Sequence, residues 1–169
     1  MGMVNLNSMK LRLSIIALML SCLTLSAQER RDYTEWVDPF IGTADYSVTH
    51  PGAVVPHGMM AAVPFNVTGS ELNRYDKDNR WWSAPYDYNN RYFTGYAHVA
   101  LSGVGCPEAS SLLVMPTTGT LNVDYTSYGT EYSDEAASPG YYSNRLTRYG
   151  IKSEVTATTR TACERFTFP

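Results

Sequence analysis

The second half of the chain carries short segments in which polar and apolar residues alternate, and turn-forming residues separate them. The segments are Thr120–Tyr125, Tyr141–Leu146, Ile151–Ala157 and Ala162–Phe168. A period of two residues is typical of a β-strand with one face in the core. Strands at intervals of about eight to twelve residues, joined by turns, predict an antiparallel β-sandwich rather than alternating strands and helices.

The connections and the composition also favour an all-β fold class. Arg148-Tyr149-Gly150 predicts a hairpin between two of these strands, and the apolar run Ser111–Pro116 predicts a buried strand. The 13 Tyr, 5 Phe and 3 Trp are residues that strands favour. Residues Asp45–Arg91 show little periodicity, so they predict long loops laid over a sheet, where binding sites concentrate.

The amino terminus has the pattern of a secretory signal peptide. Basic residues at positions 10 and 12 precede the apolar run Leu13–Leu25, which closes on Ser26-Ala27. The run is shorter than the ~20 residues that a membrane-spanning helix needs. We therefore expect a signal peptide over residues 1–27 and no transmembrane span.

Residues 28–169 then remain as the mature chain, which is long enough for one domain with its own core. An exported chain is expected to be secreted or periplasmic, and Cys22 leaves open the alternative of a surface lipoprotein. Sequence alone does not pair Cys106 with Cys163. The net charge of −3 comes with no basic stripe, so no nucleic-acid partner is expected.

Aromatic residues form the first candidate binding site. Trp81-Trp82 is followed by Tyr86-Asp87-Tyr88, which places flat apolar faces near a carboxylate. Sugars stack their C–H faces on aromatic rings and donate their hydroxyls to carboxylates, so the pattern favours carbohydrate binding. The alternative is that the tryptophans only fill the edge of the sandwich.

A glycine-rich segment beside a histidine is the second candidate. Thr94–His98 runs into Leu101–Pro107, whose glycines allow the backbone to approach another surface closely. The His98 ring offers a nitrogen for hydrogen bonding there, although a structural histidine is the alternative. Gly103 and Gly105 do not make a phosphate loop, because the third glycine is absent.

Signals for metal binding and catalysis are weaker. The three histidines lack the regular spacing of a zinc site, and no cysteine pair supports them. No serine lies in a Gly-x-Ser-x-Gly elbow. Glu108, Asp134 and Glu135 are available acids, but sequence alone does not bring two of them to the ~5–10 Å separation that glycoside hydrolysis requires.

Six segments form an ordered set along the mature chain. They are Asp38–Thr43, Pro51-Gly52-Ala53 leading to Pro56–Met59, Gly95–His98, Leu101–Pro107, Met115–Gly119 and Ala137–Tyr142. In this order and spacing they resemble the amino-terminal domain of glycoside hydrolase family 92. Each segment alone is weakly specific, whereas the ordered set is specific and spans nearly all of the mature chain.

The resemblance implies an exo-acting α-mannosidase that removes mannose from glycans with inversion and depends on calcium. It also implies an amino-terminal β-sandwich that packs on a larger (α/α)₆ barrel. In such enzymes the general acid, the general base and most calcium contacts belong to the barrel. We therefore expect this chain to contain no catalytic residue, and its metal ligands, if any, stay unknown.

By the same resemblance, five residues are expected to line the sugar pocket and to bind substrate: Trp81, Trp82, His98, Gly105 and Cys106. The chain departs from the family pattern at two places. Val48-Thr49-His50 stands where the family often has His-Thr-Tyr or His-Thr-Phe, and His57 stands where it has phenylalanine. These departures leave the linkage preference of the enzyme open.

The end of the chain bears on the choice between interpretations. Arg165–Pro169 still alternates between polar and apolar residues, which predicts a strand in progress and a domain that is incomplete at its carboxy-terminal end. This favours a fragment of a longer mannosidase, inactive alone. The alternatives are a free-standing carbohydrate-binding module and a structural surface domain.

Overall fold

The computed structural model describes residues 9–16, 31–45, 48–67, 84–101, 110–124 and 126–169. The chain divides into two units, Met1–Tyr33 and Thr34–Pro169. The described part of the first unit contains a helix, α1, over residues 9–16. Cys22 and the expected cleavage site after Ala27 lie outside the described residues, so the signal peptide and its alternative, the lipoprotein, stay predictions.

The described part of the second unit contains two antiparallel sheets. After a 3₁₀ turn, Thr34–Trp36, the strands are β1 Ala53–Val54, β2 Ala61–Phe65, β3 Tyr92–Phe93, β4 Gly95–His98, β5 Leu112–Val114, β6 Thr130–Ser138, β7 Tyr141–Leu146, β8 Ile151–Ala157 and β9 Ala162–Thr167. One sheet has the order β1-β2-β4-β5, and the other has the order β3-β6-β7-β8-β9.

Side chains from both sheets form one core. The members contributed by the first sheet are Ala53, Ala62 and Tyr96, and the second sheet and its turns contribute Phe93, Tyr132, Tyr142, Leu146, Tyr149, Ile151, Val155 and Ala157. Alternate residues of a strand point to opposite faces, so each strand supplies every second residue to this layer. The expected all-β sandwich is confirmed.

The first sheet is buried on its outer face as well. Ala61, Val63 and Phe65 of β2 pack in a second cluster with Ala97 and Tyr86, and Phe40 covers part of it. A strand covered on both faces shows no polar alternation. The prediction of long loops over Asp45–Arg91 is therefore wrong within the described residues. β1 and β2 lie in that range, and burial on both faces hides the strand pattern of β2.

The chain passes from one sheet to the other at Thr94. Phe93 ends β3 in the five-stranded sheet, and Gly95 begins β4 in the four-stranded sheet. Gly95 has a φ of 148°, and a Cβ there would lie 2.8 Å from Cγ of Leu113. The crossing therefore needs glycine for its conformation and for space. Thr94 fixes the corner through its N–H and hydroxyl, which both donate to the carbonyl of Phe65 at 3.0 Å.

The hairpins of the second sheet follow the sequence prediction. Leu146 pairs with Ile151 at the end of the β7–β8 ladder, so the turn lies over residues 147–150. Ala157 pairs with Ala162 at the start of the β8–β9 ladder. The strands expected over Tyr141–Leu146, Ile151–Ala157 and Ala162–Phe168 are thus confirmed, the last one ending one residue earlier, at Thr167.

The strand predicted over Thr120–Tyr125 is wrong over its described residues, 120–124. Residues 121–124 are irregular, and Leu121 and Val123 are 77% and 81% exposed. The polar residues that alternate with them bond locally instead: the amide of Asp124 donates to Oδ1 of Asn122 at 2.9 Å. Such side-chain bonds compete with the backbone hydrogen bonds of a sheet. The segment gains no buried apolar face that would offset their loss.

The strand predicted within Ser111–Pro116 exists as β5, but its expected burial is wrong. Leu112 and Leu113 are 57% and 39% exposed. β5 pairs with β4 on one side and forms the edge of the four-stranded sheet. An edge strand has a neighbour on one side only, which leaves more of its side chains open to solvent.

Replacing Leu146 with alanine is expected to lower the free energy of unfolding by about 2–5 kcal/mol, because Leu146 is fully buried between the sheets and its loss leaves a cavity. Leu121→Ala is the matched control, since the same atoms are removed from an exposed position, and its effect is expected to stay within about 0.5 kcal/mol. Urea unfolding of both variants measures the difference, and equal effects would contradict this packing.

Candidate functional site

Only one of the five expected sugar-binding residues lies in the described part of the chain. Trp81, Trp82, Gly105 and Cys106 lie outside the described residues, so their roles stay predictions. His98 is described, at the last position of β4. Cys163 is exposed on β9 and forms no disulfide within the described residues, while its possible partner Cys106 lies outside them.

His98 joins the two sheets. Its Nε2 lies 2.8 Å from Oε1 of Glu164 on β9, and both side chains are nearly buried. Its Nδ1 lies 3.4 Å from the carbonyl oxygen of Leu112 on β5. Since each ring nitrogen has a neighbour, the geometry holds the imidazole plane in one orientation.

The backbone beside His98 is strained. Val99 has a φ of 58°, in the left-handed region. A β-branched residue rarely adopts this conformation, because its Cβ approaches the following carbonyl. Such strain persists where the surrounding structure forces it, and it concentrates at ligand-binding sites. The strain favours a functional role for this corner, in addition to its structural role.

Burial favours the neutral form of Glu164. Removal from solvent raises the pKa of its carboxyl group, and the charge of His98 opposes that rise. On the neighbouring strand β8, Glu154 has the opposite environment. Arg165 donates from Nε and Nη2 to its two oxygens at 2.8 Å, and the hydroxyl of Tyr141 donates to Oε1 at 2.8 Å. These donors lower the pKa of Glu154 to about 2.

A second group of polar side chains surrounds Glu135. The register between β6 and β7 shifts between Ser133 and Ala136, so β6 carries one extra residue, a β-bulge. Asp134 has a φ of 50° within this bulge. The irregularity reverses the alternation of the strand, so Asp134 is exposed while the side chain of Glu135 is only 5% exposed.

Three donors converge on the Glu135 carboxylate. The hydroxyls of Tyr86 and Tyr142 donate to Oε1 at 2.8 Å and 2.7 Å. Arg91 donates from Nη1 to Oε2. A buried carboxylate without partners would cost several kcal/mol, so these donors are what permit its burial. Burial and the nearby carboxylate raise the pKa of both tyrosine hydroxyls, which therefore stay protonated donors.

Asn66 positions the segment that carries Tyr86. Its Nδ2 donates to the carbonyls of Asp87 and Asn90 at 2.9 Å and 2.8 Å, and its Oδ1 accepts from the amide of Asp87 at 2.8 Å. Asp87 itself is 1% exposed. The carboxylate that the sequence suggested for sugar binding is therefore buried in this turn, whereas the neighbouring Tyr88 is exposed.

The segment Asp38–Thr43 presents an aromatic ring to the same region. The amide of Phe40 donates to Oδ1 of Asp38 at 2.9 Å, and the Thr43 hydroxyl donates to the carbonyl of Phe40 at 2.7 Å. The amide of Tyr88 donates to the carbonyl of Thr43 at 2.8 Å. Through these bonds the rings of Phe40 and Tyr88 meet edge to face, 5.6 Å apart.

A pocket of about 400 Å³ lies between these elements. Its walls are Phe40, Tyr88, Arg91 and Tyr132, together with the bulge residues 133–135. This volume is within the ~300–1,000 Å³ that small-molecule sites occupy. We call it the Glu135 pocket. The sequence suggested Glu135 only as one of three acids, because the bulge that turns it inward leaves no signal in the pattern of the strand.

Calcium dependence, which the family resemblance implies, requires a cluster of oxygen ligands in the protein. Calcium takes six to eight oxygen ligands, mostly carboxylates and carbonyls. In the described ranges, no three His, Cys, Asp or Glu side chains come together as a metal site. Glu135 is bound to two hydroxyls and an arginine, which leaves it poorly placed for a cation. The described residues therefore do not fit a calcium site.

Comparison with known proteins identifies the fold family. Residues 36–169 match the glycosyl hydrolase family 92 N-terminal domain. The chain belongs to this family. Among solved structures, the family GH92 α-mannosidase BT3965 from Bacteroides thetaiotaomicron is 31% identical, with a TM-score of 0.70 over 82% of this chain. The gh92 family glycosyl hydrolase ccman5 is 29% identical, with a TM-score of 0.64 over 82% of this chain.

A curated relative is also described as a glycosidase. An uncharacterized secreted glycosidase of Arthroderma benhamiae is 29% identical over 166 residues, which is 92% of this chain. This chain covers 20% of that protein and 19% of each of the two solved structures. It thus spans about a fifth of the length of these relatives. No helix among the described residues is long and apolar enough to cross a membrane.

Glu154 and Glu164 are expected to titrate in opposite directions. Glu154, whose pKa is lowered from 4.5 to about 2, stabilises the fold above pH 4.5, and this contribution is lost as the pH falls through about 2. Glu164, whose pKa is raised from 4.5, contributes stability below pH 4.5 that is lost as the pH rises through the raised pKa. Carboxyl ¹³C NMR against pH measures both.

Two variants serve as controls for this titration. Arg165→Met is expected to raise the pKa of Glu154 towards 4.5 and to leave Glu164 unchanged. His98→Gln is expected to raise the pKa of Glu164 further, because the charge that opposes the rise is removed. Indistinguishable titrations of the two carboxyls, or a Glu164 titration that ignores His98→Gln, would contradict the contacts described.

Proposed function

We propose that this chain is the amino-terminal sandwich of a secreted α-mannosidase that hydrolyses terminal α-linked mannose from glycans with inversion. The observation that carries the proposal is the family match over residues 36–169, together with 31% identity to a solved structure of an α-mannosidase. That relative was solved in complex with mannoimidazole. Family membership makes a glycan the substrate class.

In this proposal the sandwich lines the sugar pocket and the catalytic acid and base lie elsewhere in the protein. Inversion requires two carboxyl groups ~6.5–9.5 Å apart with a water molecule between the sugar and the base. The buried carboxylates of Glu135 and Glu164 are each engaged with their own partners. This engagement supports the assignment of the sandwich to sugar binding, through His98 and the expected contacts of Trp81-Trp82, Gly105 and Cys106.

The remaining four fifths of a typical relative's length leave room for the (α/α)₆ barrel, on which this sandwich would pack. In this packing the barrel would cover some of the large apolar side chains that are exposed in this chain. Trp36, which is 79% exposed, and Ile41, which is 74% exposed, are two of these side chains. Calcium is assigned to the barrel because the family resemblance implies it there.

Export completes the proposal. The signal peptide pattern over residues 1–27 and the relative described as a secreted glycosidase support a secreted or periplasmic location. The free-standing carbohydrate-binding module is the competing function, because the Glu135 pocket also suits a module without turnover. Turnover separates the two functions.

The expected result is that the complete protein encoded by the gene releases mannose from α-mannobiose, whereas residues 28–169 alone release none. Inversion is checked by ¹H NMR, since the first product observed should be β-mannose. Chelation with EGTA is expected to abolish release, and added calcium should restore it.

The controls are α-glucobiose as substrate and the complete protein without chelator. Mannose release by residues 28–169 alone would show that the catalytic groups lie in this chain. A complete protein that binds α-mannobiose and releases no mannose would favour the binding module instead.

A further inference from the structure

Arg91 is held in the Glu135 pocket with most of its donors unused. Its Nη1 donates to Glu135, and its Cζ lies 4.9 Å from the ring centroid of Tyr88 and 5.6 Å from that of Tyr132. A guanidinium has five N–H donors in a fixed plane, and among the described residues this is its one hydrogen bond. The side chain is 46% exposed. The pocket therefore presents oriented donors to whatever enters it.

The aromatic walls of the pocket are also accessible. Tyr88 is 41% exposed, and its ring meets Phe40 edge to face. An exposed aromatic ring beside oriented hydrogen-bond donors is the combination that binds a sugar, because the C–H face of the sugar packs on the ring while its hydroxyls bond to polar groups.

The charges of the pocket favour a neutral ligand. Arg91 is paired with Glu135, and Asp134 is paired with Arg145 at 3.2 Å. The two positive and two negative charges cancel, so no net field attracts a phosphate or a sugar acid. The Asp134 carboxylate is 72% exposed and remains available as an acceptor for hydroxyl groups.

The backbone of the bulge is consistent with a site. The extra residue in β6 and the positive φ of Asp134 both carry a conformational cost, and together they turn Glu135 inward and Asp134 outward at the pocket wall. A regular strand would instead place Asp134 in the core. The strained backbone thus builds the two features that the pocket uses, an anchored arginine and an exposed acceptor.

We infer that the Glu135 pocket binds one neutral sugar residue of a glycan, with Arg91 and Asp134 bonded to its hydroxyls and Tyr88 against its ring. Glu135 acts as a positioning residue, because it holds the guanidinium and does not reach the sugar. The inference rests on the proposed function for the source of the sugar, a mannose-containing glycan.

The test is an NMR titration of the full chain with α-mannobiose, in which the Nε–Hε signal of Arg91 reports on the pocket. Tyr88→Ala is expected to weaken binding about threefold to tenfold, because the stacking surface is lost. Arg91→Met, which lacks the Nε–Hε signal and is followed through the backbone amides of residues 133–135 instead, is expected to weaken binding at least about tenfold. Arg148→Met is the matched control, since Arg148 also lies over a tyrosine ring, 5.4 Å from Tyr149, outside the pocket.

Tyr88→Ala still tests sugar binding if Arg91→Met unfolds the chain. Tyr88 is exposed, and its replacement leaves the donors to Glu135 in place. Inorganic phosphate is the charged competitor and is expected to leave the Arg91 signal unchanged. Absence of a sugar-induced shift in the wild-type chain, equal affinities of Tyr88→Ala and wild type, or displacement of α-mannobiose by phosphate would each overturn the inference.

The outcomes for this pocket and for the proposed function are separable. Mannose release by the complete protein, together with unchanged α-mannobiose binding in Tyr88→Ala, would contradict sugar binding in the Glu135 pocket and support the proposed mannosidase activity. Sugar binding that depends on Tyr88, in a complete protein that releases no mannose, would support the pocket and remove the mannosidase.

Discussion

The burial of one carboxylate, Glu135, sets the arrangement of much of the sandwich. An ion removed from water costs several kcal/mol unless donors surround it, and here the donors come from three parts of the chain: Tyr86 before β3, Arg91 beside it and Tyr142 on β7. The described residues 84–91, which lead into β3, must therefore close over the bulge of β6. The Tyr142 ring, 6.1 Å from that of Tyr96, carries the same contact into the layer between the sheets.

Two sites follow from this frame, and each uses a strained residue. At one, Val99 follows His98, which bonds across the sheets to Glu164. At the other, Asp134 precedes Glu135 in the bulge. Strained backbone of this kind is retained where the packing around it compensates for its cost. Under the proposed function, these two places would help to hold a glycan while other parts of the protein supply the chemistry.

The sequence predicted the strands that have one face in the core and one face exposed to solvent. Strands β7 to β9 alternate and were found, whereas Ala61–Phe65 was missed because both of its faces are buried. The predicted strand Thr120–Tyr125 alternates in sequence, but its described residues 120–124 do not join a sheet, because local hydrogen bonds of its polar residues replace the ladder. The sequence indicated Glu135 only as one of three acids and gave no signal that its side chain is buried. A bulge reverses the phase of a strand, and phase is the signal that pattern analysis uses. The ordered motifs identified the family, which no single pattern did.

A double-mutant cycle between Glu135→Gln and Tyr142→Phe tests the central interaction most directly. Glu135→Gln replaces the charged acceptor with a neutral one. Hydrogen bonds to charged groups contribute ~1.5–3 kcal/mol, whereas hydrogen bonds between neutral groups contribute ~0.5–1.5 kcal/mol. We expect a coupling of about 1 kcal/mol or more in the free energy of unfolding, measured by urea denaturation of the four proteins. Effects that add to within ~0.5 kcal/mol would show that the two side chains do not interact, and would contradict the account of the Glu135 pocket.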